Sequence, residues 1–502
     1  MSEKVRCHLA GMCCHAALIF FAAVVTQAQT FDARLAVSSV TPGRVRVVGA
    51  RHPATTAWSF RNAYAGAVNL GERIEKLTLA DESGTDVPVR KLASGEFEAE
   101  RAATHFSYDV KLDPPSFLTD AAHVSWLTIE RGLLLPGDLL PLPLGDARLT
   151  FELPANWVVS SVAPVETGGG FKVKEAEQSV FVIGQNLRER RERAGASEVL
   201  YVTSGAWAFD DDEVTRSIAG TLRDYEKLFG GVSRPRVLVT LLPFPGAAPA
   251  NAWSAETRGG SVVLLSGRAP SKIAATALVN SSLTHELFHL WVPNGLSLEG
   301  DYDWFYEGFT NYQALREGMR HEELTFQDYL NALGRAFDGY KAARGPREVS
   351  LPEASARRWS GNPALVYHKG MLVAFLYDLT LQRGTNGKKS LDDAYRELFR
   401  RYGVVENRVD ANRAVVETLS GMPGMSALTA SYVREANAID LAAAIEPFGL
   451  RVEPGGVLTH VSVAASLERG QRDLLRKLGY NEQAEADARK LHEKLKRRQP
   501  QP

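Results

Sequence analysis

Cysteine is almost absent from this chain: 502 residues carry three, Cys7, Cys13 and Cys14, all within the first 28. Those 28 residues read as a secretory signal peptide. Lys4 and Arg6 precede an apolar run from Leu9 to Val25, and Thr26-Gln27-Ala28 offers small residues for cleavage. Cleavage there leaves a mature chain with no disulfide and no thiol nucleophile. The alternative is an uncleaved N-terminal membrane anchor, since about seventeen apolar residues sit at the lower edge of what spans a bilayer. With a cleaved signal, no stable membrane insertion is expected. Charge of one sign is also lacking: the formal net charge is −1, so no electrostatic case arises for nucleic acid or anionic lipid. Internal repeats at solenoid periods and long low-complexity tracts are missing too, which excludes arrays and disordered linkers. What is present, 45% apolar and 23% charged residues, describes a globular protein of two or three domains. Export without structural disulfides suits the bacterial periplasm.

From Phe31 to about Gly205, short runs rich in β-branched and aromatic residues alternate with Pro and Gly turn signals, which predicts an all-β domain over residues 29–205. From Asp210 the periodicity becomes helical, apart from two strand-like runs, 237–242 and 261–265. This predicts a mainly α domain over 206–450, followed by a helical extension and tail over 451–502. His105 and His123 in the first domain have no ligand spacing around them and read as structural or exposed.

One stretch specifies chemistry. In His285-Glu286-Leu287-Phe288-His289, the two histidines are four apart, on one face of a helix that the pattern opens at Pro270 and stops at Pro293. A second helical pattern starts near Asp303 and carries Glu307 within Trp304-Phe305-Tyr306-Glu307-Gly308. Catalytic zinc takes three protein ligands and keeps a position for water, so His285, His289 and Glu307 make a candidate metal site with Glu286 beside it as general base. Manganese or cobalt could occupy the same donors. The bland reading is a buried histidine pair satisfied by carbonyls or carboxylates. Gly308 inside the second helix costs about 1 kcal/mol relative to alanine, so a close backbone approach is expected there, as a shared metal requires. His321-Glu322 does not continue the motif, because position 325 is Thr, and reads as a solvated pair. Tyr367, after the Asn362-Pro363 helix start, is a candidate donor to a developing oxyanion, although a tyrosine there often serves packing.

The run ending at Trp291, the Trp304 to Tyr312 run and Tyr367-His368-Lys369-Gly370 together resemble the motifs of the glycyl aminopeptidase family of gluzincin zinc metallopeptidases, relatives of aminopeptidase N and leukotriene A4 hydrolase. The likeness covers roughly residues 200 to 450. It implies a thermolysin-like catalytic domain and one zinc on His285, His289 and Glu307. It further implies Glu286 as base, Tyr367 as transition-state donor and a peptide or unfolded-protein substrate. It also implies substrate held by the backbone at Gly259 and Gly260. Two departures stand out. Relatives carry a Glu beside those glycines that binds the substrate's free α-amine; here the place reads Arg258-Gly259-Gly260-Ser261, with Glu256 nearby. The residues after Leu450 are also too few for the C-terminal PDZ domain of many bacterial relatives. An exported aminopeptidase is the expectation. The rivals are an inactive peptidase-fold scaffold or binding protein and a zinc hydrolase of a non-peptide substrate.

Overall fold

The computed structural model describes residues 30–343, 349–359, 361, 363–403 and 407–483. The expected signal segment, Asn362 and most of the charged C-terminal pattern lie outside them. No described helix is long and apolar enough to cross a membrane.

Alternation builds the first domain. In Thr30–Val40, Phe31, Ala33 and Leu35 are buried while Asp32 and Arg34 face outwards. This strand pairs antiparallel with Gly43–Ser59 and parallel with Asp146–Glu152, in an eight-stranded sheet whose long members are Gly43–Ser59 and Glu96–Lys111. Trp58, Phe106 and Tyr108 from that sheet share a core with Leu134, Phe181 and Ile183 of a four-stranded sheet. The all-β reading of this region holds.

A third sheet joins the halves. Ser197–Thr203, Arg236–Pro243 and Ser261–Ser266 run parallel, with Arg188–Ala194 and Trp253–Arg258 as antiparallel edges. The inner strands are nearly continuous apolar runs because both faces are covered. Leu200, Val202, Leu238 and Val263 pack on Trp126, Leu133 and Val182 of the β domain. Val199, Tyr201, Val239 and Leu264 belong to the core shared with the helices. Each such side chain contributes about 1.5–3 kcal/mol by leaving water, so the two halves are joined through a common hydrophobic layer. The boundary expected at 205 thus falls beside a sheet that continues across it: Ser197–Thr203 pairs with Arg188–Ala194 on one side and with Arg236–Pro243 on the other.

Helices cover the far face, and the structure is mainly α from Asp211 onwards. Asp210 and Glu213 form a capping box at the start of Asp211–Phe229. The helix bearing the His pair runs Lys272–Phe288. It begins after Pro270 because the Ser271 hydroxyl caps it, accepting from the Ala274 N–H at 3.2 Å. The C-terminal extension is not wholly helical. Leu450–Val452 and Val461–Val463 form a two-stranded ribbon before the helix Arg469–Lys477. Asp338 pins that ribbon, accepting from the Thr459 N–H at 2.8 Å and its hydroxyl at 2.6 Å.

Candidate metal centre

His285 lies in the last turn of its helix, and His289 keeps helical dihedrals one residue past the end, so the two imidazoles remain on one face. Their Nε2 atoms are 3.0 Å apart. Glu307 sits at the break between Asp303–Tyr306 and Gly308–Arg320. Its Oε2 is 3.3 Å from His285 Nε2 and 3.8 Å from His289 Nε2. One donor atom from each of these three residues lies within 4.8 Å of the others. A carboxylate and two imidazole nitrogens converging on one point fit zinc's preferred donors. His289 Nδ1 is 2.8 Å from the Val292 carbonyl, which fixes that nitrogen as the N–H and leaves Nε2 with its lone pair towards the centre. Both Nε2 atoms face one another and the same carboxylate oxygen, so the three donors surround a single point.

Electrostatics agree. Burial, reinforced by His285, lowers the pKa of His289, favouring the neutral form that binds metal. Burial opposes ionisation of Glu307, but the His285 hydrogen bond and its neighbours, the Arg358 guanidinium among them, outweigh it and hold the carboxyl below its ordinary range. Glu286 goes the other way: burial pushes its carboxyl up to about 7, against the pull of His289 and of a hydrogen bond from Thr257. Two carboxylates in one site, with pKa values driven apart, separate a permanent anion from a group that exchanges protons near neutrality.

Tyr367 stands beside this cluster in a π-helical turn, Leu365–Lys369, that leads into Gly370–Gly384. Burial and Glu307 raise its phenol, which therefore stays a donor. The close approach expected at Gly308 exists, but its partner is the Tyr367 segment, not the metal helix. A Cβ on Gly308 would meet Gly370 Cα at 2.5 Å and the Val366 carbonyl at 2.8 Å. Contact at the backbone is what brings Tyr367 over Glu307.

Two further residues that touch the site were not legible in the sequence. Arg358 donates to Glu307 Oε1 at 3.2 Å and hydrogen-bonds both Tyr367 and Asp303. Its guanidinium lies over the Tyr367 ring, 5.2 Å from the centroid. Thr257, on the edge strand Trp253–Arg258, places its hydroxyl against Glu286. His123 departs from its structural reading only in location: Nδ1 is 3.1 Å from Glu256 Oε2, so the β domain reaches the edge strand. Glu256 is also bonded by Tyr64 and paired with Arg258 at 3.2 Å, so its carboxylate is fully engaged.

Gly259 and Gly260 are not brought to the cluster. They form the turn between Trp253–Arg258 and Ser261–Ser266, packed near Gln178 and Arg234. The cavity they line, about 390 Å³, includes none of the metal-site residues. The residue on this hairpin that touches the site is Thr257. His285 instead opens on a cavity of about 770 Å³ lined with Thr284, Asn311, Leu315, His368 and Met371. His321 is not a solvated pair with Glu322: its Nε2 is 3.0 Å from Asp224, beside a Glu317 already matched by Arg320.

No protein-family profile and no curated protein matches the chain. Solved structures do. An aminopeptidase N family protein from Idiomarina loihiensis superposes with TM-score 0.73 at 18% identity, over 85% of this chain and 79% of that one. An M1 zinc metallopeptidase from Deinococcus radiodurans gives TM-score 0.53 at 15% identity, over 82% and 94%. A mutant of the latter, bound to a Tyr-Ser-Ala substrate, gives 0.53 at 13% identity, over 82% and 94%. The chain therefore has the two-domain fold of the M1, aminopeptidase N-like zinc metallopeptidases, with a β-rich N-terminal domain followed by a helical one.

Proposed function

We propose that this protein is an exported, zinc-dependent metallopeptidase that removes residues from the amino ends of peptides or unfolded protein segments. The observation that carries the reading is the convergence of His285, His289 and Glu307 within 4.8 Å, with the raised carboxyl of Glu286 alongside. The Deinococcus neighbour that holds a Tyr-Ser-Ala substrate supports peptide as the substrate class.

Zinc on these donors supplies Lewis acidity, bringing the pKa of a water towards about 7 and polarising the carbonyl under attack. The chain's own groups do the rest. Glu286, poised near neutrality, takes the proton of the attacking water and delivers it to the departing amine. Tyr367 donates to the oxygen on which charge develops. Arg358 holds the Glu307 and Tyr367 side chains in register.

The test uses protein lacking residues 1–28. Zinc per chain is measured, and wild type and Glu286→Gln are incubated with a mixed peptide library. Cleavage by wild type that Glu286→Gln spares supports hydrolysis, and stepwise loss of amino-terminal residues supports aminopeptidase action. Zinc binding with an untouched library leaves the scaffold reading. Export is tested by sequencing the mature amino terminus, expected at Gln29, from a periplasmic fraction.

A further inference from the structure

Gly259 and Gly260, which the metal centre does not use, border the cavity of about 390 Å³. Residues 161–180 of the β domain line one side of it, and residues 234–261 of the third sheet line the other. Its charged lining is four cations, Lys172, Lys174, Arg234 and Arg236, against one carboxylate, Glu175. On a chain of net charge −1, that excess is local. Phe171 and Val173 are buried while Lys172 and Lys174 are exposed, so alternation sets both lysines on one face of the chain there.

The chain supplies few counter-ions. Among the described residues, Lys172, Lys174 and Arg236 form no ion pair. Glu198, opposite Arg236 in the parallel strand pair, is bonded by Arg191 at 3.3 Å instead. Arg234 lies 3.6 Å from Glu175 through Nη1 and donates from Nη2 to the Asn294 carbonyl at 3.3 Å, but its buried Nε has no acceptor among the described residues. A buried donor left unmet is costly, which calls for an acceptor from outside the chain.

The glycine turn adds uncharged donors. Gly259 has a φ of 52°, the left-handed region that suits glycine at the first position of a two-residue hairpin turn. The ladder ends at Arg258 and Ser261, and neither Gly259 nor Gly260 has a backbone acceptor for its N–H among the described residues. Solvated lysines alone would imply no ligand. Lysines and arginines around a concavity, together with an unmet guanidinium nitrogen and free backbone N–H groups, suit a multivalent oxyanion. Guanidinium forks match phosphate oxygens, and a cavity of this size also has room for the organic part of an ester.

We propose that this cavity is a binding site for a small phosphate-bearing molecule, separate from the metal centre, with the phosphate held by Lys172, Lys174, Arg234, Arg236 and the Gly259-Gly260 turn. Free phosphate and a phosphate ester share that chemistry. The inference does not depend on the peptidase reading.

The test titrates the purified protein by calorimetry at pH 7 and about 0.15 M salt with glycerol phosphate, inorganic phosphate and glycerol, the phosphates being largely dianionic there. A phosphate-bearing probe is expected to bind with a Kd of about 1 mM or below, and glycerol not measurably. Tighter binding of the ester identifies an ester as the ligand; equal or tighter binding of inorganic phosphate identifies the free ion. Lys172→Gln combined with Arg236→Gln should weaken binding at least about tenfold, whereas Arg90→Gln combined with Lys91→Gln, on a distant edge of the β domain, should leave Kd within about twofold. If the cavity double variant does not fold, Arg236→Gln alone carries the comparison, with a loss of at least about threefold. Binding should persist in Glu307→Ala, since the zinc ligands take no part. Absence of binding, equal loss in the two double variants, or loss in folded Glu307→Ala would overturn the proposal, the last by moving the phosphate to the metal centre.

Discussion

The Thr257 hydroxyl lies 2.8 Å from Glu286 Oε2 and 2.7 Å from the backbone carbonyl of the same residue. One hydroxyl hydrogen cannot serve both acceptors at once. When Glu286 is ionised, the two compete for it. When Glu286 is protonated, its O–H can donate to Thr257 while Thr257 donates to the carbonyl, and both contacts are satisfied. The threonine therefore meets the carboxyl in either state, as donor to the carboxylate or as acceptor from the carboxyl O–H. Thr257→Val keeps the shape and removes the hydroxyl. The expected result is a fall in kcat of about tenfold or more with KM little changed, and recovery in Thr257→Ser, read by steady-state kinetics on a free peptide. Equal loss in the Ser and Val variants would mean that packing, not the hydroxyl, matters.

Tyr367 is placed to act on charge that exists only during reaction. Its phenol is kept protonated by burial and Glu307. Tyr367→Phe should lower turnover about a hundredfold with substrate binding nearly unchanged. Turnover within a factor of two of wild type would return Tyr367 to a packing role.

Arg358 acts through Glu307. Its guanidinium contacts the oxygen Oε1, leaving Oε2 turned to the imidazoles. Partners of this kind orient a ligand, and losing one costs about 10–100-fold in metal affinity. Arg358→Met should weaken zinc binding by that factor in a competition titration against a chelator, before any activity is measured. An unchanged affinity would show that Glu307 is oriented by its backbone alone.

The convergence of His285, His289 and Glu307 was legible because it depends on local periodicity: a four-residue spacing on a helix, then a carboxylate opening a second helix. The sandwich-like β domain and the buried strands at 236–243 and 261–266 were legible for the same reason, as alternation and as unbroken apolar runs. Arg358 carried no such mark. It follows one arginine and precedes Trp359, and its meaning comes only from where the chain brings it. Thr257 carries no motif of its own, and it meets Glu286 because the strand Trp253–Arg258 still runs beside the metal helix there, whereas Gly259 already lies in the turn. The two strands at 188–203 were assigned to the first domain by continuity of β pattern, since a sequence does not say with which sheet an edge pairs. His123 and Tyr64 depend on contacts across well over a hundred residues, beyond any periodicity.

Lys369 presents a different problem. It is fully buried in the π-helical turn, its Nζ has no hydrogen-bond partner among the described residues, and burial pushes its ammonium down to about 8. The unfolded chain keeps that proton up to the ordinary 10.5. Between these values the unfolded state binds more protons, so stability rises with pH through that window, and below it the buried charge weakens the fold throughout. Lys369→Met should stabilise the protein by about 1–3 kcal/mol at pH 7, with the advantage shrinking as pH climbs from 8 towards 10.5. Denaturant titrations at pH 7 and pH 10 check this. A methionine variant less stable at pH 7 would contradict the reading of an unpaired cation.

The account depends on three side chains sharing one ion, and metal content tests that most directly. Protein lacking residues 1–28, purified and dialysed against trace zinc, should contain one zinc per chain by elemental analysis, and Glu307→Ala and His289→Ala should each contain far less. Wild type without stoichiometric metal, or variants that retain it in full, would contradict the shared site.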